Sequence, residues 1–178
     1  MTRGELEHVI RAAGAIADVR ELVVIGSQAV LGAHPTAPPE LLGSMEADVF
    51  VEGSPELSET IDGAIGEGST FHRTFGYHAH GVGEETATLP AGWRDRLVPV
   101  AVGEPPAVVG RCLEPHDLAI RTIVAGRPHD LAFVAGLLRH RLVDRRTLAA
   151  RLDATELPPD LAEPVRGRLA RLLAAEPA

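Results

Sequence analysis

The spacing of the apolar residues changes near residue 112, and that change limits what this chain of 178 residues can fold into. Before it, short β-branched runs at residues 21–25, 45–51, 97–102 and 107–112 are separated by glycine and proline clusters, the pattern of brief strands. After it, apolar residues recur every three or four positions, in segments short enough for helices of two to four turns. A purely helical bundle and an all-β sandwich are both excluded. The reading is an α/β (α+β) unit over residues 1–112, a small mixed sheet with helices, followed by a C-terminal helical region over 113–178. No apolar run approaches the roughly 18–20 residues that a membrane span needs.

Local signals fill in this outline. Leu6, Val9, Ile10, Ala13, Ile16 and Ala17 give residues 4–18 one apolar helical stripe. A strand at 21–25 is broken by Gly26-Ser27, and the proline-rich stretch 34–39 is a loop because proline removes N–H donors and restricts its predecessor. Ser54-Pro55 opens a helix that runs to about Ile65, with proline where its missing N–H costs nothing. Residues 71–80 read as extended. Residues 97–102 carry Pro99 and so read as an edge strand. Helices are expected over 117–125, 128–139, 144–152 and 159–173, divided by Gly126, residues 141–143 and Pro158-Pro159. Trp93, the only tryptophan, is expected to plug the core beneath the sheet.

Composition narrows the chemistry. All 17 basic residues are arginine and there is no asparagine. Without lysine there is no Schiff base, no lysine general base and no Walker A loop. The lone Cys112 permits neither an internal disulfide nor a cysteine-based zinc cluster, which fits a reducing compartment. The first residues carry Glu5, Glu7 and His8 where a signal peptide would be apolar, so the expected location is cytoplasmic. Residues 1–90 hold 4 arginines and 14 acids, whereas 91–178 hold 13 and 11, so an anionic partner should meet the second half.

The residues richest in chemistry are Gly26-Ser27 and, one loop later, Glu46-Ala47-Asp48. On a strand Glu46 and Asp48 project from one face with Cβ atoms about 7 Å apart, and two anions at that separation repel by roughly 2 kcal/mol at an effective dielectric near 20. A hard cation such as Mg²⁺ would relieve that repulsion. Ser27 enters a helix, where a hydroxyl and backbone N–H groups suit phosphate. Arg121 stands four residues after Asp117 and reads either as an i,i+4 ion pair or as a phosphate contact. Asp130, behind Arg127, is placed to meet the positive end of a helix dipole. His72, His78 and His80 lie close in sequence, but zinc would need ligands from elsewhere; His80 is also a candidate base.

A strand ending in Gly-Ser, a short helix and an acidic-x-acidic pair on the next strand resembles the nucleotidyltransferase superfamily. The stretch Leu113-Glu-Pro-His-Asp-Leu-Ala119, with Arg121 and residues 125–130 after it, resembles the helical segment of a bacterial subgroup, the DUF6036 group, distantly related to AbiEii-type toxins. The resemblance implies that Glu46 and Asp48 hold Mg²⁺ or Mn²⁺, and that Gly26, Ser27, Arg121 and Arg127 hold an NTP. It implies a third carboxylate on a neighbouring strand: Glu85 if residues 84–89 form that strand, with Thr86 or Thr88 as alternatives at the position. The implied activity is transfer of a nucleoside monophosphate to a hydroxyl of tRNA, a protein or a small molecule, with a cognate antitoxin as a further partner. A degenerate module that binds nucleotide without turnover is the alternative. Three departures stand out: the 18 residues between Ser27 and Glu46, glutamate as the first carboxylate, and Arg121 where relatives tend to carry lysine.

Overall fold

The computed structural model describes residues 1–103 and 107–175. Helix α1 (Arg3–Ala17) starts at a reciprocal cap: Thr2 Oγ1 accepts from the Glu5 N–H, and Glu5 Oε2 accepts from the Thr2 N–H at 2.6 Å. Strand β1 (Glu21–Val24) then runs into a 3₁₀ turn at Ser27–Ala29 and a single helical turn, α2 (Val30–Ala33). Next come β2 (Glu46–Phe50), α3 (Pro55–Ile65), α4 (Thr70–Phe75), β3 (His78–Gly81), β4 (Val98–Val102) and β5 (Val108–Cys112). Four helices follow: α5 (Pro115–Ala125), α6 (Pro128–Arg139), α7 (Arg145–Asp153) and α8 (Pro159–Ala175). Among the described residues no helix is long and apolar enough to cross a membrane.

The five strands form one mixed sheet in the order β3-β2-β1-β5-β4. Strand β1 is parallel to β5 and antiparallel to β2, β2 is parallel to β3, and β4 is antiparallel to β5. Pro99 sits on the edge strand β4, as a residue without an N–H donor should. One face of the sheet is covered by α1 and α3. Gly110, in mid-strand on β5, is required there because a Cβ would lie 2.4 Å from Ile10 Cδ1 of α1. Alternation puts Ala47, Val49 and Ala79, all fully buried, on that covered face, and Glu46, Asp48, His78 and His80 on the other. Phe50 shares this second face and meets Trp93, whose buried ring lies 6.4 Å away, so the tryptophan is a core residue as expected.

The C-terminal helices share the core of the sheet: Leu118, Ile123, Leu137, Leu148 and Val165 join the same buried cluster as Leu6 and Val24. They are also tied to the sheet by a buried charge. Asp117 of α5 has no exposed surface and receives Arg96 Nε at 2.8 Å and Nη2 at 3.1 Å, with Arg151 Nε of α7 at 3.0 Å from its other side. The Arg151 approach is an ion pair without hydrogen-bond alignment. His116 makes a second clamp: its Nε2 accepts from the Asp144 N–H at 2.7 Å, so the ring proton sits on Nδ1 and is donated to Glu114 Oε1 at 2.5 Å.

Two expected extended segments fold otherwise. Residues 71–80 divide into α4 and β3, because Ser69 caps the His72 N–H and Gly76, at φ 78, ends the helix. The side chains of Phe71 and Phe75 then stack one turn apart, with ring centroids 4.9 Å apart. The segment expected as a strand at 84–89 begins as a 3₁₀ turn, Glu84–Thr86, closed on the Gly83 carbonyl by the Thr86 N–H at 3.1 Å and its hydroxyl at 2.7 Å. A side chain that bonds its own local backbone competes with a ladder, and here the local bond wins.

Candidate functional site

The site is assembled where β1 and β2 pair. Strand β1 ends at Val24, paired with Val49, and the Ile25 N–H extends the ladder to the Asp48 carbonyl at 3.0 Å. This pairing brings the Gly26-Ser27 turn beside the Asp48 side chain. A Cβ at Gly26 would stand 2.6 Å from Asp48 Oδ2 and 2.9 Å from its Cγ, so the carboxylate fills the space that glycine leaves. Gly26 itself is extended, at φ −76 and ψ 178, so the glycine is needed for room and not for its backbone freedom.

The parallel pairing of β2 with β3 supplies the rest. Glu46 is opposite His78 and Asp48 opposite His80. His80 Nδ1 lies 3.2 Å from Asp48 Oδ1 and 3.6 Å from Glu46 Oε1. Glu46, Asp48 and His80 each turn one ligand atom inward, all within 4.8 Å of one another. Burial, and after it the neighbouring Asp48 carboxylate, pushes the Glu46 carboxyl above the usual range. His78 backs this group. Its ring is 91% buried, neither nitrogen makes an aligned hydrogen bond among the described residues, and Nε2 lies 3.4 Å from Glu46 Oε2. His72 stacks on that ring with centroids 4.4 Å apart, its own Nδ1 accepting from the Gly68 N–H, so the three histidines form no common ligand set.

A cleft of about 590 Å³ opens beside the carboxylate pair. Ser27, Glu46 and Asp48 line it together with Glu40, Leu41 and Ser44 and with residues of α5 and α6, the Pro39–Leu41 turn packing on α6 where Leu41 meets Gly136. Arg121 of α5 turns away from Asp117, whose partners are Arg96 and Arg151, and reaches Asp48 Oδ2 with Nη2 at 3.3 Å. The i,i+4 reading of Arg121 is therefore replaced by a contact across the cleft. Arg127, at the start of α6, pairs with Asp130 through Nε at 2.8 Å while 61% of its side chain stays exposed at the rim. Asp130 Oδ2 also accepts the Arg127 backbone N–H at 3.0 Å and caps the helix. Met1 secures the segment that carries Gly43 and Ser44 of the lining: its ammonium donates to the Leu42 and Ser44 carbonyls at 2.7 and 2.6 Å.

Ser27, Glu46, Asp48, Arg121 and Arg127 thus line one cleft, with Gly26 packed against Asp48 beside it. Glu85 does not: it lies on the 3₁₀ turn after β3, against Glu84, Leu89 and Trp93, outside the Glu46–Asp48–His80 group. The strand expected to bring a third carboxylate beside β2 is β3, and it brings His80. The donor set fits a divalent cation, since two carboxylates and an imidazole converge and the His78 nitrogens behind them lack hydrogen-bond partners among the described residues. Sequence reasoning missed the joining of His80 to the acidic pair. The i,i+2 spacing of His78 and His80 was the available signal, and the parallel β2–β3 register was not.

A mixed sheet that presents a Gly-Ser turn beside two carboxylates on the adjacent strand is an arrangement of the nucleotidyltransferase class. The chain belongs to a family in that class described as nucleotidyltransferase of unknown function (DUF6036), whose family model matches residues 5–168. No curated protein and no solved structure matches it.

Proposed function

We propose that the protein transfers a nucleoside monophosphate from an NTP to an acceptor hydroxyl, in a reaction that depends on a divalent cation. The observation that carries this reading is the seating of the Asp48 carboxylate in the space that a side chain at Gly26 would take, which sets the Gly26-Ser27 turn against the Glu46–Asp48 pair. The cleft volume falls within the range of about 300–1,000 Å³ typical of small-molecule sites. Ser27 and the neighbouring N–H groups would hold the triphosphate, and Glu46 and Asp48 the cation. Arg121 would move from Asp48 to the phosphates, and Arg127, exposed at the rim, would meet their distal end. When bound, a cation there would neutralise phosphate charge. The acceptor oxygen would bond to the α-phosphorus as the α–β anhydride bond breaks, the hydroxyl proton passing to solvent, and pyrophosphate would leave with the charge that the arginines balance.

The arginine-rich second half supports an anionic acceptor such as tRNA over a protein or a small molecule. The buried, reduced Cys112 supports a cytoplasmic setting. The test incubates each labelled NTP with a divalent cation and cell extract, comparing the wild type with Asp48→Ala. Transfer by the wild type alone is expected, and equal transfer by both would remove the proposed site. Membership of a toxin–antitoxin pair adds that expression of the wild type, and not of Asp48→Ala, arrests growth until a cognate antitoxin is supplied. One observation favours the second reading, a module that binds nucleotide without turnover: the side chain opposite Asp48 is an imidazole and not a carboxylate. NTP binding by the wild type without transfer to any acceptor would select it.

A further inference from the structure

The geometry points to a metal site at which His80 is a direct ligand beside Glu46 and Asp48, selective for first-row dications such as Co²⁺ and Mn²⁺ over Mg²⁺. The inference rests on the metal-holding part of the proposed function and goes beyond it in naming the ligand and the selectivity. Distances come first. Metal–ligand bonds of about 2.0–2.2 Å put adjacent ligand atoms of an octahedron about 2.8–3.1 Å apart. His80 Nδ1 stands 3.2 Å from Asp48 Oδ1, close to such an edge, and 3.6 Å from Glu46 Oε1, which is longer than one. Small rotations of Glu46, whose side chain is 44% exposed, close the longer edge.

Strand register makes this arrangement structural and not a surface accident. His80 is opposite Asp48 on a parallel strand, so the backbone ladder and not a flexible loop brings the imidazole to the carboxylate. His78 gives an independent indication. A ring nine-tenths buried with neither nitrogen in an aligned hydrogen bond among the described residues is rare, and its Nε2 lies 3.4 Å from Glu46 Oε2, in reach of a small rotation of that carboxylate. With Glu46 drawn toward a cation, His78 Nε2–H donates to the outer oxygen, as supporting groups do behind metal-bound carboxylates.

The chemical class follows from the donors. Mg²⁺ favours oxygen ligands and a near-ideal octahedron with several waters retained. An imidazole nitrogen in a three-ligand set lowers affinity for Mg²⁺ relative to first-row dications, and the affinity for such a site rises from Mn²⁺ to Co²⁺. Three protein ligands leave positions open for the phosphates of a nucleotide.

The test loads the full chain with Mn²⁺ and records pulsed electron paramagnetic resonance, alongside calorimetric titrations with Mn²⁺, Co²⁺ and Mg²⁺, each with and without a non-hydrolysable NTP analogue. His80→Asp restores an all-oxygen set, and His80→Ala removes the ligand. The His80 side chain is half exposed, and circular dichroism checks that both variants fold. The expected result is a directly coupled imidazole nitrogen in the wild type that both variants lose, with the Mn²⁺/Mg²⁺ affinity ratio falling by at least about tenfold in His80→Asp. Bound Mn²⁺ without nitrogen coupling, or an unchanged ratio in His80→Asp, overturns the inference and leaves the transferase reading standing. Coupling that survives His80→Asp but is lost in His78→Gln overturns the assignment of the ligand. Failure of every dication to bind, with or without nucleotide, overturns both.

Discussion

Gly26→Ala isolates the contact on which the site depends. The backbone at Gly26 is extended and accepts alanine without strain, so the whole effect comes from one methyl group. That carbon would lie 2.6 Å from Asp48 Oδ2, roughly 0.8 Å short of ordinary contact. The Asp48 side chain is only 14% exposed and is flanked by His80 on one oxygen and Arg121 on the other, so the carboxylate must rotate and give up at least one of them. Overpacking of this kind costs typically 1–3 kcal/mol, and a carboxylate near the cleft surface places the loss in the lower part, about 1–2 kcal/mol. A displacement near that size exceeds the roughly 0.5 Å within which a ligand set must be held, so dication affinity should fall by at least about tenfold. Urea denaturation measures the first quantity and Mn²⁺ titration the second. Superimposable unfolding curves with unchanged Mn²⁺ affinity would refute the argument that glycine is there to make room for Asp48.

Other perturbations read other parts of the molecule. Asp117→Ala should cost about 2–4 kcal/mol in chemical denaturation: breaking a buried ion pair costs more, but Arg96 and Arg151 keep 22% and 27% of their side chains exposed and can turn to water. A loss below about 0.5 kcal/mol would show that this cluster does not join the helices to the sheet. At Asp130 burial raises the carboxyl, but the Arg127 guanidinium and backbone N–H outweigh it and leave it below its ordinary value. With the native pKa below the unfolded value of about 3.9, its stabilisation is complete above that pH and is lost as pH falls through the native pKa. Asp130→Asn should therefore shrink the loss of stability on acidification below about pH 4, and an unaltered acid limb would contradict this. Burial pushes the Cys112 thiol up to about 12, so iodoacetamide at mild alkaline pH should label it only after denaturation, as mass spectrometry can follow. Rapid labelling of the folded protein would mean that the α2–β5 packing opens.

The fold was largely legible where punctuation and periodicity agreed. The spacing of Leu6, Val9, Ile10 and Ala13 marked α1, Ser54-Pro55 the start of α3, and Pro99 an edge strand, because periodicity and prolines act through the local backbone. Legibility failed at residues 71–80 and 84–89. In the first, a one-and-a-half-turn helix is too short to display a period, and its signals were only Ser69 and Gly76. In the second, Thr86 closes a local turn that β-branched composition alone reads as strand.

For the candidate site the division is similar. The sequence by itself determined that Glu46 and Asp48 share a strand face, that a Gly-Ser turn precedes them, and that arginine must supply every cationic side chain except histidine, since these follow from residue identity and the two-residue period of a strand. Tertiary structure alone decided who meets them. Asp48 fills the space above Gly26 because β1 and β2 run antiparallel, and His80 and not Glu85 joins the pair because β3 runs parallel to β2 in that register. Arg121 crosses to Asp48 because Arg96 and Arg151 already hold Asp117. Pairing direction, register and competition for a buried charge are long-range properties, and spacing along the chain does not encode them.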